Sequence, residues 1–222
     1  MPLPLSRRLA GFTLLELLTV ITIIAVLAGL SFPAYQMVTN KARRAAATTT
    51  VNALAQACES FALEYNRYPQ GATTTTTDSA YNTANTQSEF AAVPGSYNAR
   101  FMSELTGIGT DDGTRYINFK GLRFLESKDA TGDISGDYKD GFVLNSSGNQ
   151  VELFDPFGFP YIVAVDGDFD KAINKTVFPL TEIQSRIDSG ALQKGVGAVA
   201  LGDEKGPEAD PRKLRNAIVS WQ

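Results

Sequence analysis

Histidine is absent from all 222 residues. That absence excludes Ser-His-Asp and Cys-His catalysis together with every histidine metal site. Cysteine occurs once, at Cys58, so no intramolecular disulfide staples the chain. Its neighbours Ala57 and Phe61 mark Cys58 as a small apolar core residue. A basic face is missing as well: Lys and Arg number 20 against 24 Asp and Glu, a formal charge of −4. The bases are scattered rather than gathered as nucleic-acid binding requires, so no nucleic-acid partner is expected. The neighbouring acids Asp111-Asp112 and the pair Asp137 and Asp140 lie in Gly-rich stretches and do not read as an acid–base pair. Long apolar runs are lacking too, with one exception near the start.

Residues 12–32 carry a single charge, Glu16. About 21 helical residues at roughly 1.5 Å each reach ~30 Å, the thickness of a bilayer core. A lone acid in such a run costs several kcal/mol at depth and less at the interface unless it has a partner. Ahead of the run, residues 1–11 hold Arg7, Arg8, Pro2 and Pro4 and read as a removable basic leader. An ordinary secretory signal is cut after its apolar segment. Here the small-residue junction Ala10-Gly11 comes before it, so cleavage at Gly11 keeps the apolar helix in the mature chain. Arg7 and Arg8 place the N-terminus on the cytoplasmic side, although Lys41, Arg43 and Arg44 beyond the other end reduce the contrast.

Pro33 is expected to kink or locally melt the helix. The helical pattern then resumes: Val51, Leu54, Cys58, Phe61 and Tyr65 recur at spacings of three and four and share one face, which predicts packing on a folded domain. Thr48, Thr49 and Thr50 are poor helix formers that soften the joint, and the helix should end before Pro69. A continuous helix over residues 12–66 is on the order of 80 Å long, too long for a domain of this size to bury. Its first half must meet lipid or copies of itself.

The remainder reads as a small sheet domain. Residues 70–89, with five consecutive threonines from Thr73 to Thr77, have no apolar period and are expected to form a surface loop. A short helix over 98–105 closed by Gly107 follows. Short β-branched or aromatic segments at 117–119, 141–144, 150–154, 161–165 and 197–201 predict an antiparallel sheet. Turns are expected at 145–149 and at Asp155-Pro156-Phe157-Gly158, and a helix over 180–192. The fold class is therefore α+β: a long N-terminal helix packed on a small antiparallel sheet. Its parts are the leader 1–11, a membrane or assembly half 12–33, an amphipathic half 34–68, a Thr-rich loop 69–100 and a globular sheet domain 101–222. Asp166-Gly167-Asp168-Phe169-Asp170 has the alternating acids of a calcium loop. Lys171 and Val177 occupy the positions where an EF-hand needs glycine and glutamate, so the stretch reads as a solvated acidic turn.

Gly11-Phe12-Thr13-Leu14-Leu15-Glu16-Leu17-Leu18 combines a cleavage glycine, an aromatic first mature residue and an acid at the fifth mature position. With it, the chain resembles the type IV pilin-like superfamily, and most closely the major pseudopilin of type II secretion systems. Weaker likenesses are Glu64-Tyr65-Asn66-Arg67-Tyr68-Pro69, Asp155-Pro156-Phe157-Gly158-Phe159-Pro160-Tyr161, Ala200-Leu201-Gly202-Asp203 and Val219-Ser220-Trp221. Residues 71–99 match nothing in the family.

The resemblance implies a structural filament subunit rather than an enzyme. A prepilin peptidase would cut after Gly11 and methylate the new amino group of Phe12, using S-adenosylmethionine. In the filament, Glu16 would neutralise the Phe12 ammonium of an adjacent copy. Implied partners are the chain itself, minor pseudopilins, an inner-membrane assembly platform, and membrane lipid before assembly; the globular domain would be periplasmic. The family's carboxy-terminal calcium loop would fall on Leu201, Asp203, Glu204 and Asp210, with Glu208 a further carboxylate. Arg212, Lys213 and Arg215 stand where the family has further acids, a departure that weakens calcium as a cofactor. A pilin for adhesion, motility or DNA uptake is the alternative within the superfamily. An enzyme or binding domain on a plain anchor is the alternative outside it, with Glu16 snorkelling to headgroups.

Overall fold

The computed structural model describes residues 12–70, 77–83, 96–97, 99–108, 117–132, 138–144, 151–178, 180–202 and 217–221. Two compact units divide the chain, residues 1–42 and residues 43–222. Helix α1, Leu14–Tyr65, contributes to both. It is helical without interruption at Pro33, so the local melting expected there does not occur. A proline removes one backbone donor, and the surrounding i→i−4 bonds suffice to carry the helix past it. The joint at Thr48, Thr49 and Thr50 is likewise unbroken: their hydroxyls donate to the carbonyls of Arg44, Ala45 and Ala46 at 2.9, 3.1 and 3.2 Å.

In the first unit the large apolar side chains from Leu14 to Val38 are exposed around the helix. In the second, α1 becomes one-sided. Val51, Leu54, Cys58 and Phe61 are completely buried, joined by Ala47 and Ala57, and Tyr65 packs at the edge of the same cluster. The helix stops where Asn66 takes a left-handed φ of 53°, a conformation asparagine tolerates better than most residues.

The main sheet has five strands in the order β2-β1-β5-β8-β9: β1 Ser79–Asn82, β2 Ser96–Tyr97, β5 Tyr161–Val165, β8 Val196–Ala200 and β9 Ile218–Val219. All neighbours are antiparallel except β1 and β2. Every residue of β5 and β8 is buried, because both sheet faces are covered. Tyr161, Val163 and Val165 lie in the cluster with α1, while the alternate residues Ile162 and Ala164 join a second cluster with Phe178, Ile183 and Leu192. The second cluster is built from β6 Ile173–Asn174, the 3-10 turn Lys175–Val177, α3 Thr181–Gln184 and β7 Ala191–Leu192. Trp221 closes it against Phe178, with ring centroids 5.2 Å apart. A Cβ on Gly197 would lie 3.0 Å from Trp221 and 2.8 Å from Phe178, so β8 needs glycine there.

A separate hairpin pairs β3 Gly141–Leu144 with β4 Val151–Phe154; the turn expected at 145–149 lies outside the described residues. Helix α2, Ala99–Thr106, matches the short helix foreseen and ends at Gly107 with φ +65°.

Three further expectations are corrected. The loop assigned to 70–89 contains β1, an interior strand of the sheet: Ser79, Ala80, Tyr81 and Asn82 pair with Val165, Ala164, Val163 and Ile162. Its polar residues hid its burial. Residues 117–119 are a turn rather than a strand, because the buried carboxylate of Glu104 accepts the amides of Ile117 and Asn118 at 2.8 and 2.6 Å. Asn118 uses both ends of its carboxamide there, accepting from Tyr65 Oη and Leu122 N and donating to the carbonyls of Glu104 and Leu122. The helix expected over 180–192 is a single turn, Thr181–Gln184. Ladder bonding between β6 and β7 takes Ala191 and Leu192 instead, and Lys175 N donates to Gly190 O.

Candidate functional site

Phe12 and Glu16 sit at the open end of α1; Gly11 lies outside the described residues. Helix α1 begins with a reciprocal cap. Thr13 Oγ1 accepts from Glu16 N at 3.2 Å, while Glu16 Oε2 accepts from Thr13 N at 2.9 Å and from Thr13 Oγ1 at 2.8 Å. The first intrahelical bond follows, Leu17 N to Thr13 O at 3.2 Å. This is a capping box, in which two backbone donors that a helix start leaves unpaired are satisfied at once. The charge of Glu16 at the positive end of the helix dipole adds to it. Glu16 therefore has a partner within its own chain. The cap was legible as Thr13-Leu14-Leu15-Glu16, the T-x-x-E spacing, which a reading centred on the acid alone overlooks.

Past the cap, the hydroxyls of Thr19, Thr22 and Ser31 donate to the carbonyls of Glu16, Leu18 and Leu27 at 2.9, 2.7 and 2.7 Å. Turned inward in this way, they leave no unsatisfied donor on an otherwise apolar surface. Among the described residues α1 is the one helix long and apolar enough to cross a membrane, and none of that stretch is buried in the chain.

The two acidic stretches come out differently. Of the carboxy-terminal set, Leu201 is buried, and Asp203, Glu204, Glu208 and Asp210 lie outside the described residues. The 166–170 turn is not wholly solvated: Asp166 is buried, and its carboxylate closes the turn by accepting from Phe169 N at 2.6 Å and Lys171 N at 2.8 Å. Those bonds hold Phe169 and Lys171 at φ values of 63° and 68°. Burial, with Asp168 close by, pushes the Asp166 carboxyl above its usual range. Carboxylate oxygens of Asp78, Asp166 and Asp168 lie within 4.8 Å of one another. Asp78 is itself occupied, accepting from Gly167 N and Asn174 N.

The Asp155-Pro156-Phe157-Gly158 turn forms as expected, with Gly158 at φ +93° donating to Asp155 O at 3.0 Å. Cys58 is buried on the core-facing side of α1, which raises its thiol pKa far above the reactive range.

An apolar helix, capped by Thr13 and Glu16 and placed directly after a basic leader, is the arrangement that the family comparison addresses. Residues 6–32 match the prokaryotic N-terminal methylation motif. The motif supports the type IV pilin-like resemblance and indicates prepilin processing and filament assembly in general. Its apolar helix fits membrane anchoring. Comparison with curated proteins and with solved structures gives no match.

Proposed function

We propose that this chain is a structural, non-catalytic subunit of a pseudopilus or pilus-like filament serving type II protein secretion. The observation that carries the reading is the methylation motif joined to a helix whose first half is apolar and exposed on every side. A prepilin peptidase removes residues 1–11 and methylates Phe12. The N-terminus lies on the cytoplasmic side of the inner membrane, the globular unit in the periplasm, and minor pseudopilins and an assembly platform act as partners. Before assembly the first half of α1 resides in lipid, where its inward-turned hydroxyls and the two amides satisfied by its cap lower the cost of burial.

The capping box supplies a physical account of the assembly step. In the free subunit Glu16 is held by Thr13. In the filament the Phe12 ammonium of an adjacent copy offers the same carboxylate a full opposite charge, where Thr13 offers only an amide and a hydroxyl. Exchanging one for the other sets axial register while the apolar helices bundle, in place of contact with lipid.

Mass spectrometry of the mature chain tests the processing half: the amino-terminal peptide is expected to begin at N-methyl-Phe12. A chain still carrying Met1 or cut after the apolar run would overturn it. Electron microscopy after overexpression tests the assembly half, with short periplasmic filaments expected. Long surface fibres would replace the secretion reading with that of a type IV pilus.

A further inference from the structure

Among the described residues of the globular unit, Phe119 and Phe169 are the phenylalanines that stay exposed, at 78 % and 51 %. One device holds both: a buried acid that accepts two amides of the turn. Glu104 accepts from Ile117 N and Asn118 N at 2.8 and 2.6 Å, and the bonds of the Asn118 carboxamide lock the rest of that turn. Asp166 accepts from Phe169 N and Lys171 N at 2.6 and 2.8 Å. It keeps Phe169 at φ 63°, a costly conformation for a bulky residue. Each ring also lies against a tyrosine at or just past the end of α1. Phe119 meets Tyr65 edge-on at 5.7 Å, and Phe169 stacks on Tyr68 at 5.8 Å. Neither ring belongs to a core cluster. Exposed aromatics fixed before contact are the material of binding hot spots, because little ordering is left to oppose association.

Their flanks differ in charge. Lys120 and Arg123, both exposed, are the charged residues of 117–125, and Glu64 of α1 pairs with Lys120. Around Phe169 stand Asp168 and Asp170, with Asp78 and Asp166 close to Asp168 and Lys171 as the adjoining base. Asp170 Oδ1 accepts from Ala172 N at 2.8 Å, whereas Asp168 Oδ1 accepts from Asp170 N at a longer 3.4 Å. Asp168 is therefore the acid more open to an outside cation. It also crowds Asp166, a like charge whose repulsion a guanidinium relieves.

We infer that the Phe119 turn of one copy docks on the Phe169 turn of a second copy, ring against ring, with Arg123 of the first meeting Asp168 of the second. The inference rests on the filament reading above and deepens it by naming a contact between globular units. A second copy is the occupant because the matched motif indicates filament assembly in general. A filament repeats one heterologous contact, in which two different faces of the same chain complement each other. These two turns do so, with equal anchors and opposite charge. Unlike turns attract and like turns repel, which gives the contact a direction.

The experiment co-expresses two full-length forms with different tags, one Arg123→Cys and the other Asp168→Cys; the native Cys58 is buried. After mild oxidation a disulfide-linked dimer bearing both tags is expected in membranes and in filaments, and far less dimer from either form alone. Phe119→Ala should lower filament number at least about tenfold and leave the melting temperature of the globular unit unchanged. Arg123→Asp and Asp168→Arg should each lower it as well, and the two reversals in one chain should restore it. Filaments without the mixed dimer, or a double reversal no better than the single ones, overturn the contact and leave the filament reading in place. Mixed dimers in membranes with no filaments from the wild type keep the contact and overturn the filament reading. Absence of both overturns both. Capture of Arg123→Cys by a different protein assigns the turn to another partner and overturns the inference. So does a Phe119→Ala chain that melts several degrees lower, since the ring then serves its own fold.

Discussion

In the first part of α1, Leu27 keeps 59 % of its surface exposed, and Leu18, Ile24 and Leu30 do much the same. In the second part Leu54 and Phe61 keep none. Both parts have regular helical hydrogen bonding and hide their threonine hydroxyls against carbonyls one turn back. Local structure therefore does not distinguish them; the distribution of apolar residues does. A helix with one apolar face has its partner in the same chain, as residues 47–65 do with the sheet. A helix apolar all round needs an apolar environment that the described residues of the chain do not supply, which fits membrane anchoring.

The largest effect expected from breaking this contrast is at Glu16. In Glu16→Ala, cleavage after Gly11 continues and filaments disappear; filaments of normal length and number by electron microscopy would remove Glu16 from the assembly step. Next comes the buried part of the helix. Phe61→Ala deletes a side chain packed on Tyr65 and Phe124 at centroid distances of 4.8 and 5.2 Å, and should cost about 3–5 kcal/mol of stability in denaturant unfolding. Gly141→Ala comes third: φ is +153° and a Cβ would fall 2.4 Å from the Lys128 carbonyl, so a loss of about 1–3 kcal/mol is expected, read from the shift in Tm. Thr13→Ala removes the cap at a cost of roughly 1 kcal/mol, visible as faster amide exchange at the start of α1 and, if the exchange mechanism holds, as altered assembly kinetics with cleavage intact. Smallest of all is Ile24→Ala, whose side chain is 58 % exposed: the melting temperature of the globular unit should not move. A drop of several degrees there would show that the first part of α1 packs on its own chain after all.

Much of this division was legible in the residues. The run 12–32 with its single acid, the one-sided pattern from Val51 to Tyr65 and the turn residues of 155–158 all express local preferences that tertiary packing did not override. Where reading failed, a distant partner had intervened. Ser79-Ala80-Tyr81-Asn82 has the composition of a loop and is a strand because β5 offers it a complete ladder. Ile117-Asn118-Phe119 has the composition of a strand and is a turn because Glu104, on another element, claims its amides. Residues 185–192 lost their helix to the β6–β7 pairing. At the candidate site, Glu16 stood out as an isolated charge, while the identity of its partner required recognising a capping box four residues long.

Sequence alone determined that an apolar, singly acidic segment follows a basic leader, that the helix continues beyond it as an amphipathic element, and that histidine chemistry is excluded. These are properties of composition and period, which no fold can alter. Tertiary structure decided that a polar segment forms an interior strand and that Asp155 and Asp166 are buried acids. Each of these depends on which donors surround a group and how much water reaches it, quantities set by residues far apart in the chain.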